Sequence, residues 1–145
     1  MENHTIRKAL PADAKFISLL AKINFSEVYG NLFCFKQNLR TYINNEFSIE
    51  KLKTSLEKEE NIFWIAFIGD LPIGYAKLKK NSPVPNTNFT NAAELQKIYI
   101  LKEYALENNG RQLKAEFFKE IQQLQIQRVW LKELHTNEQT LKFYQ

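Results

Sequence analysis

Glycine is scarce in this chain. Its 145 residues include Gly 4, where an average usage of about 7% would give roughly ten. Few points therefore let backbone wrap closely around a phosphate, and the position of each glycine matters. A single cysteine, Cys34, excludes an internal disulfide, and with two histidines it cannot complete a Cys/His zinc finger. Cys34 is expected to be a buried structural thiol. No run approaches the roughly 18 apolar residues needed to cross a bilayer. Residues 1–30 lack a cationic start followed by an apolar core, so no signal peptide is read and a cytoplasmic setting is expected. Neither a phosphate-binding G-x-x-x-x-G-K-[ST] nor a dinucleotide G-x-G-x-x-G is present. His4 and His135 sit in no nucleophile motif.

What is present suits one soluble domain over residues 1–145. The hydrophobic share is 44%, with Phe 11, Tyr 6 and Trp 2, enough to build a core. Net charge is +4 and the pI about 9.1, which raises nucleic acid as a partner. The surplus is spread along the chain, however, and its densest cluster is Lys77, Lys79 and Lys80. Strand alternation would put Lys77 and Lys79 on one face. A nucleic-acid interface needs a more concentrated patch, so these read as a solvated surface with no nucleic-acid partner.

Hydrophobic periodicity gives the order β–α–α–β–β–β–α–β–α. Residues 4–10 read as a strand, and Pro11 opens a helix with Phe16, Leu19, Leu20 and Ile23 on one stripe. Leu39, Tyr42 and Ile43 suggest a short helix. Ser48 is an N-cap, with Phe47 stapling to Leu52. The continuous run 61–68 suits a strand covered on both faces. A Gly69–Asp70 turn then leads into the alternating strand IGYAKLK, making a hairpin. A polar loop over 81–91 precedes a strand at 94–101. Leu113, Phe117, Ile121 and Leu124 form one face of a helix after Gly110. Residues 128–134 are a strand parallel to 94–101, joined by a right-handed crossover. Thr136 with Gln139 reads as a capping box opening a final helix. The result is an α/β (α+β) domain, a mixed twisted sheet with helices on both faces.

Three segments resemble the GNAT superfamily of acetyl-CoA-dependent N-acetyltransferases, and the likeness runs from Thr5 to Tyr144. IYILKEYALENNGRQL (98–113) looks like the family's strand and acetyl-CoA loop. FWIAFIGDLPIGYAKLK (63–79) looks like its central hairpin, and WLKELHTNEQTLKFYQ (130–145) like its Asn-x-x-Ala-x-x-Phe-Tyr ending. FSIEKLKTSL (47–56) resembles the branch that acetylates polyamines such as spermidine and spermine.

The resemblance implies acetyl transfer from acetyl-CoA to a primary amine, a polyamine or other small amine, by direct attack in a ternary complex and without a metal. Acetyl-CoA would lie where strands 94–101 and 128–134 splay apart. Its pantetheine arm would run along the backbone of Ile98, Tyr99 and Ile100, and its pyrophosphate would sit on Leu106, Glu107, Asn108, Asn109, Gly110 and Arg111. Glu94 would be the general base and Tyr144 the acid that protonates the thiolate. Asn137 would steady CoA, and Tyr42, Glu46 and Glu27 would line the acceptor site. Of the loop's three signature residues only Gly110 is kept, with Ala105 and Asn108 at the other two positions. The Asn108 side chain would crowd a pyrophosphate lying against backbone, so weakened CoA binding is expected. A binding module that has lost catalysis is the alternative. The family's two C-terminal strands are also missing, which would leave strand 128–134 with an open edge that a homodimer could cover.

Overall fold

The computed structural model describes residues 4–105, 109–135 and 138–144, and for 109, 110, 117 and 132–144 the backbone alone. Six strands form one sheet in chain order: β1 (His4–Lys8), β2 (Asn61–Ile68), β3 (Leu71–Lys79), β4 (Ala92–Ile100), β5 (Arg128–His135) and β6 (Glu138–Tyr144). All neighbours are antiparallel except β4 and β5. That one parallel pair is the product of the crossover through α4 (Asn109–Gln123).

The β2–β3 hairpin forms as its residues dictate. Gly69 takes φ +58° at the turn, a conformation that costs a side chain dearly and glycine nothing. Most of β2 and β3 is buried, because each face carries its own helix layer. Trp64, Ala76, Leu78, Ala93 and Leu95 pack with Leu113 and Ile121 of α4. On the opposite face Phe63, Ile65, Phe67 and Tyr75 pack with Ile17, Leu20 and Ala21 of α1 (Ala14–Tyr29). Side chains alternate between these two layers as strand pleating requires.

Between β1 and β2 the chain forms three helices where the sequence order counted two: α1, α2 (Lys36–Glu46) and α3 (Ile49–Glu57). Ser48 caps α3, its hydroxyl accepting the Lys51 N–H at 3.2 Å, and Phe47 and Leu52 pack on the same cluster. The buried stripe of α1 is Ala14, Ile17, Leu20 and Ala21, while Leu19 is exposed. One turn of 3-10 helix, Pro11–Asp13, precedes α1, and Phe16 of the expected stripe packs against the same cluster. Leu113 and Ile121 of the expected α4 stripe are buried, Leu124 is exposed beyond the helix end, and the Phe117 side chain lies outside the description. Cys34 is exposed, contrary to expectation, in a short connection away from both core layers.

The C-terminus departs furthest from the sequence reading. Residues 138–144 form a strand, not a helix, paired antiparallel with β5 from His135↔Glu138 to Val129↔Tyr144. Thr136, half of the supposed capping box, lies outside the described residues, as does Asn137. Leu141 and Phe143 alternate at period two, and the unpaired backbone of β5 offers this short segment more hydrogen bonds than two helical turns could. The expected open edge on β5 is therefore covered within the chain, by β6.

Candidate active site

Two irregularities in β4 open a fork in the sheet. The register with β3 shifts between Lys77 and Leu78, so that Lys77 faces Lys97 and Leu78 faces Leu95. Gln96 is the extra residue of a bulge, a device that bends a strand. On the other side, the parallel ladder with β5 runs only from Ala92↔Arg128 to Glu94↔Trp130. From Leu95 to Ile100, β4 keeps its β3 partners except at the bulged Gln96, and among the described residues it has no ladder partner towards β5. Backbone N–H and C=O groups on that side of Ile98, Tyr99 and Ile100 are open to an extended ligand. Past Ile100 the chain turns away, with Leu101 N–H donating to the Ile73 carbonyl at 2.7 Å before the 3-10 turn Lys102–Tyr104. It returns as α4, with Asn109 and Gly110 in the first turn and Arg111 exposed. Helix N-termini carry free N–H groups and a partial positive charge. Leu106, Glu107 and Asn108 lie outside the described residues.

Around the bulge, β4 presents different side chains to the two layers. Ile98 and Ile100 pack on the α4 side, while Tyr99 packs on the α1 side. Glu94, between the α4-facing Ala93 and Leu95, belongs to the α1 side. It stands at the crotch of the fork, half-buried, and its Oε1 accepts the amide of Gln96 at 3.1 Å. A carboxylate so placed can take a proton at the point where β4 and β5 part.

Tyrosines from adjacent strands continue this surface. Tyr75 and Tyr99 are register partners. Burial pushes the Tyr75 hydroxyl up to about 12, against a hydrogen bond with Asn24 of α1 that favours the anion. Burial, then the facing carboxylate of Glu27, push Tyr99 well above the ordinary phenol range. The Tyr99 hydroxyl is buried without a hydrogen bond of standard geometry, so Glu27 holds it neutral more than it satisfies it. Glu27 also lines a cavity of about 370 Å³ with Lys22, Ile23, Ser26 and Ile43.

The sequence-derived residues divide accordingly. Ile98, Tyr99, Ile100 and Glu94 lie along the fork, and Glu27 reaches it through Tyr99. Glu46 belongs to a different cavity and is paired with Lys51 at 3.7 Å. Tyr42 is exposed in an aromatic group with Phe25 and Phe33 and lines neither cavity. Tyr144 is opposite Val129, which is opposite Ala93, so two strand spacings of about 4.8 Å separate its backbone from the base of the fork. Its side chain lies outside the description. The Tyr75 hydroxyl and the pair Lys77 and Lys97 escaped the sequence reading. The alternation of β3 was the signal available, since it puts Tyr75 and Lys77 on one face. Among the described residues no group of His, Cys, Asp and Glu could hold a metal, and no helix is long and apolar enough to cross a membrane.

Residues 31–145 match the family described as Acetyltransferase (GNAT) family. Among solved structures, the chain is similar to PaiA N-acetyltransferase from Thermoplasma acidophilum in complex with coenzyme A. That match has 23% identity and a TM-score of 0.75, covering 94% of this chain and 82% of that one. The aminoglycoside N-acetyltransferase AAC(6')-Iy in complex with CoA matches at 12% identity and TM-score 0.70, covering 94% and 81%. Ribosomal-protein-alanine N-acetyltransferase from Brucella melitensis matches at 13% and 0.60, covering 89% and 79%. No curated protein sequence matches the chain.

Proposed function

The chain belongs to the acetyltransferase (GNAT) family, and on that premise we propose that it transfers acetyl from acetyl-CoA to the primary amine of a small molecule. The fork between β4 and β5 carries the reading. It leaves one side of Leu95–Ile100 without ladder partners, which suits an extended amide-bearing arm running beside Ile98, Tyr99 and Ile100. A backbone N–H aimed at the thioester oxygen would stabilise the charge that develops there during attack. The start of α4, with Asn109, Gly110 and Arg111, would meet the pyrophosphate together with Leu106, Glu107 and Asn108.

An alkylamine at pH 7 lies about 4.6 kcal/mol from its neutral, reactive form. Glu94 removes the proton, directly or through one water. The amine nitrogen then bonds to the acetyl carbon, the C–S bond breaks, Tyr144 gives its proton to the thiolate, and the proton that the nitrogen sheds on becoming an amide restores Tyr144. Asn137 would steady CoA from the β5–β6 connection. On the acceptor side Glu27 can attract an ammonium group, whereas Glu46 is already engaged by Lys51 and Tyr42 packs against Phe25. The polyamine reading from residues 47–56 thus has one carboxylate outside the ion pairs of the described residues in its favour.

Calorimetric titration with acetyl-CoA, followed by thiol release over a panel of amines, tests the proposal. Binding and amine-dependent thiol release are expected. No binding at millimolar ligand would sink it, and binding without release would leave a CoA-binding module.

A further inference from the structure

A second cavity, of about 190 Å³, opens on the α1 side of the sheet between α3 and strands β3 and β4. Lys51, Lys77 and Lys97 line it with Ser55, Phe63 and Tyr75, and Glu46 sits at its rim beside Lys51. These lysines come from three separate elements, so the concentration is invisible along the sequence. Lys77 and Lys97 are register partners on neighbouring strands. Lys58 and Lys79 also act on Lys77 electrostatically, and Glu94 is the carboxylate that opposes them there. Among the described residues neither Lys77 nor Lys97 belongs to an ion pair. Lys77 is half-buried, with its Nζ 5.5 Å from the centre of the Phe63 ring. Burial first, and then the neighbouring cations, hold its pKa below the usual lysine range.

Lys77 bears the cost of the arrangement, since Lys51 and Lys97 are exposed and Lys51 has Glu46 beside it. Like charges gathered in a concave, partly apolar site repel one another more strongly than on an open surface. An anion placed among them removes that repulsion. The location ties it to the fork: along β4, Lys97 stands between Glu94 and Tyr99, on the same face as both.

We propose that this cavity receives the anionic end, a carboxylate or a phosphate, of the acceptor whose primary amine is acetylated. The substrate class is then a short amine carrying an acid group, with its nitrogen at the fork beside Glu94 and its anion against Lys77 and Lys97. A polycation would bring its second ammonium to these lysines and be disfavoured. The proposal rests on the N-acetyltransferase reading above.

Thiol release at saturating acetyl-CoA, compared across 4-aminobutyrate, 3-aminopropyl phosphate, butylamine and putrescine, tests it. At least one acidic amine should exceed butylamine in kcat/KM by about tenfold or more, the ratio that ~1.4 kcal/mol represents, with putrescine lowest. Whichever acidic amine leads identifies carboxylate or phosphate as the anion. In Lys77→Gln and Lys97→Gln the acidic-to-neutral ratio should fall towards one, through KM more than kcat, while Lys77→Arg retains it. Melting curves of each variant separate lost recognition from lost folding. Equal kcat/KM for butylamine and both acidic amines, or a preference for putrescine, overturns the anion site and leaves acetyl transfer standing. No release with any of the four removes acetyl transfer and this proposal together.

Discussion

Replacing Gly74 by alanine should disturb β4 at the fork itself. Gly74 lies opposite Ile100, and an added Cβ would meet Ile100 Cδ1 at 2.4 Å and the Tyr99 carbonyl oxygen at 2.6 Å. The isoleucine tip can rotate aside. The carbonyl is backbone, and restoring ordinary contact at 3.4 Å requires β3 and β4 to separate by about 0.8 Å. Overpacking a close contact typically costs about 1–3 kcal/mol, and with backbone on one side the upper half of that range applies. A loss of about 2–3 kcal/mol in a domain of this size lowers the melting temperature by about 4–12 °C. The displaced strand is the one that would hold the pantetheine arm, so acetyl-CoA affinity should fall as well. Thermal unfolding followed by circular dichroism, with calorimetric titration well below the melting point, reads both effects. A Gly74→Ala protein with unchanged melting temperature and unchanged affinity would refute the close-approach reasoning.

Other perturbations follow from single contacts. Arg7 grips Asp13 through two bonds of 2.8 and 2.9 Å, and Asp13 Oδ2 also accepts the Leu10 N–H at 2.8 Å. Arg7→Met leaves a buried carboxylate and should cost about 1–2 kcal/mol, discounted because Arg7 is partly exposed; chemical denaturation measures it. The Arg7 bond, opposed by burial, holds the Asp13 pKa below its ordinary value. Its stabilisation is therefore complete above roughly pH 4 and is lost as pH falls through the lowered folded value. Asp13→Asn should flatten that acid limb of the stability profile. Glu94→Gln should lower kcat by about 10²–10⁴, with acetyl-CoA affinity retained. Tyr144→Phe should depress turnover at high pH more than it weakens CoA binding, and a variant whose turnover is unchanged across pH would remove Tyr144 from the mechanism. Asn108→Gly should tighten CoA binding by about tenfold if its side chain crowds the pyrophosphate, as titration would show.

Local signals were enough for much of the architecture. Ser48 announces α3, Gly69 the hairpin turn, and the unbroken run 61–68 a strand covered on both faces. The strand–helix–strand order of β4, α4 and β5 dictates a parallel neighbour. Features set by partners distant in sequence were hidden. Leu141 and Phe143 fit a helix or a strand, and the unpaired edge of β5 decides between them. The bulge at Gln96 depends on which β3 residue faces it, and no property of Gln96 itself announces it. Glu46 reads as a free carboxylate until Lys51 is seen beside it. The lysine cavity is the same case in reverse. Lys77 stands out along the chain only beside Lys79 and Lys80, and the approach of α3 to the sheet is what brings residues 51 and 97 to it.

Backbone hydrogen exchange with and without acetyl-CoA tests the central claim most directly. If the fork holds the acetyl donor, the amides of Ile98, Tyr99 and Ile100 and those opening α4 should slow on adding it, while the β1–β2 pairing is unaffected. Binding that leaves the 98–100 amides unprotected, or no change anywhere at millimolar acetyl-CoA, would contradict the account.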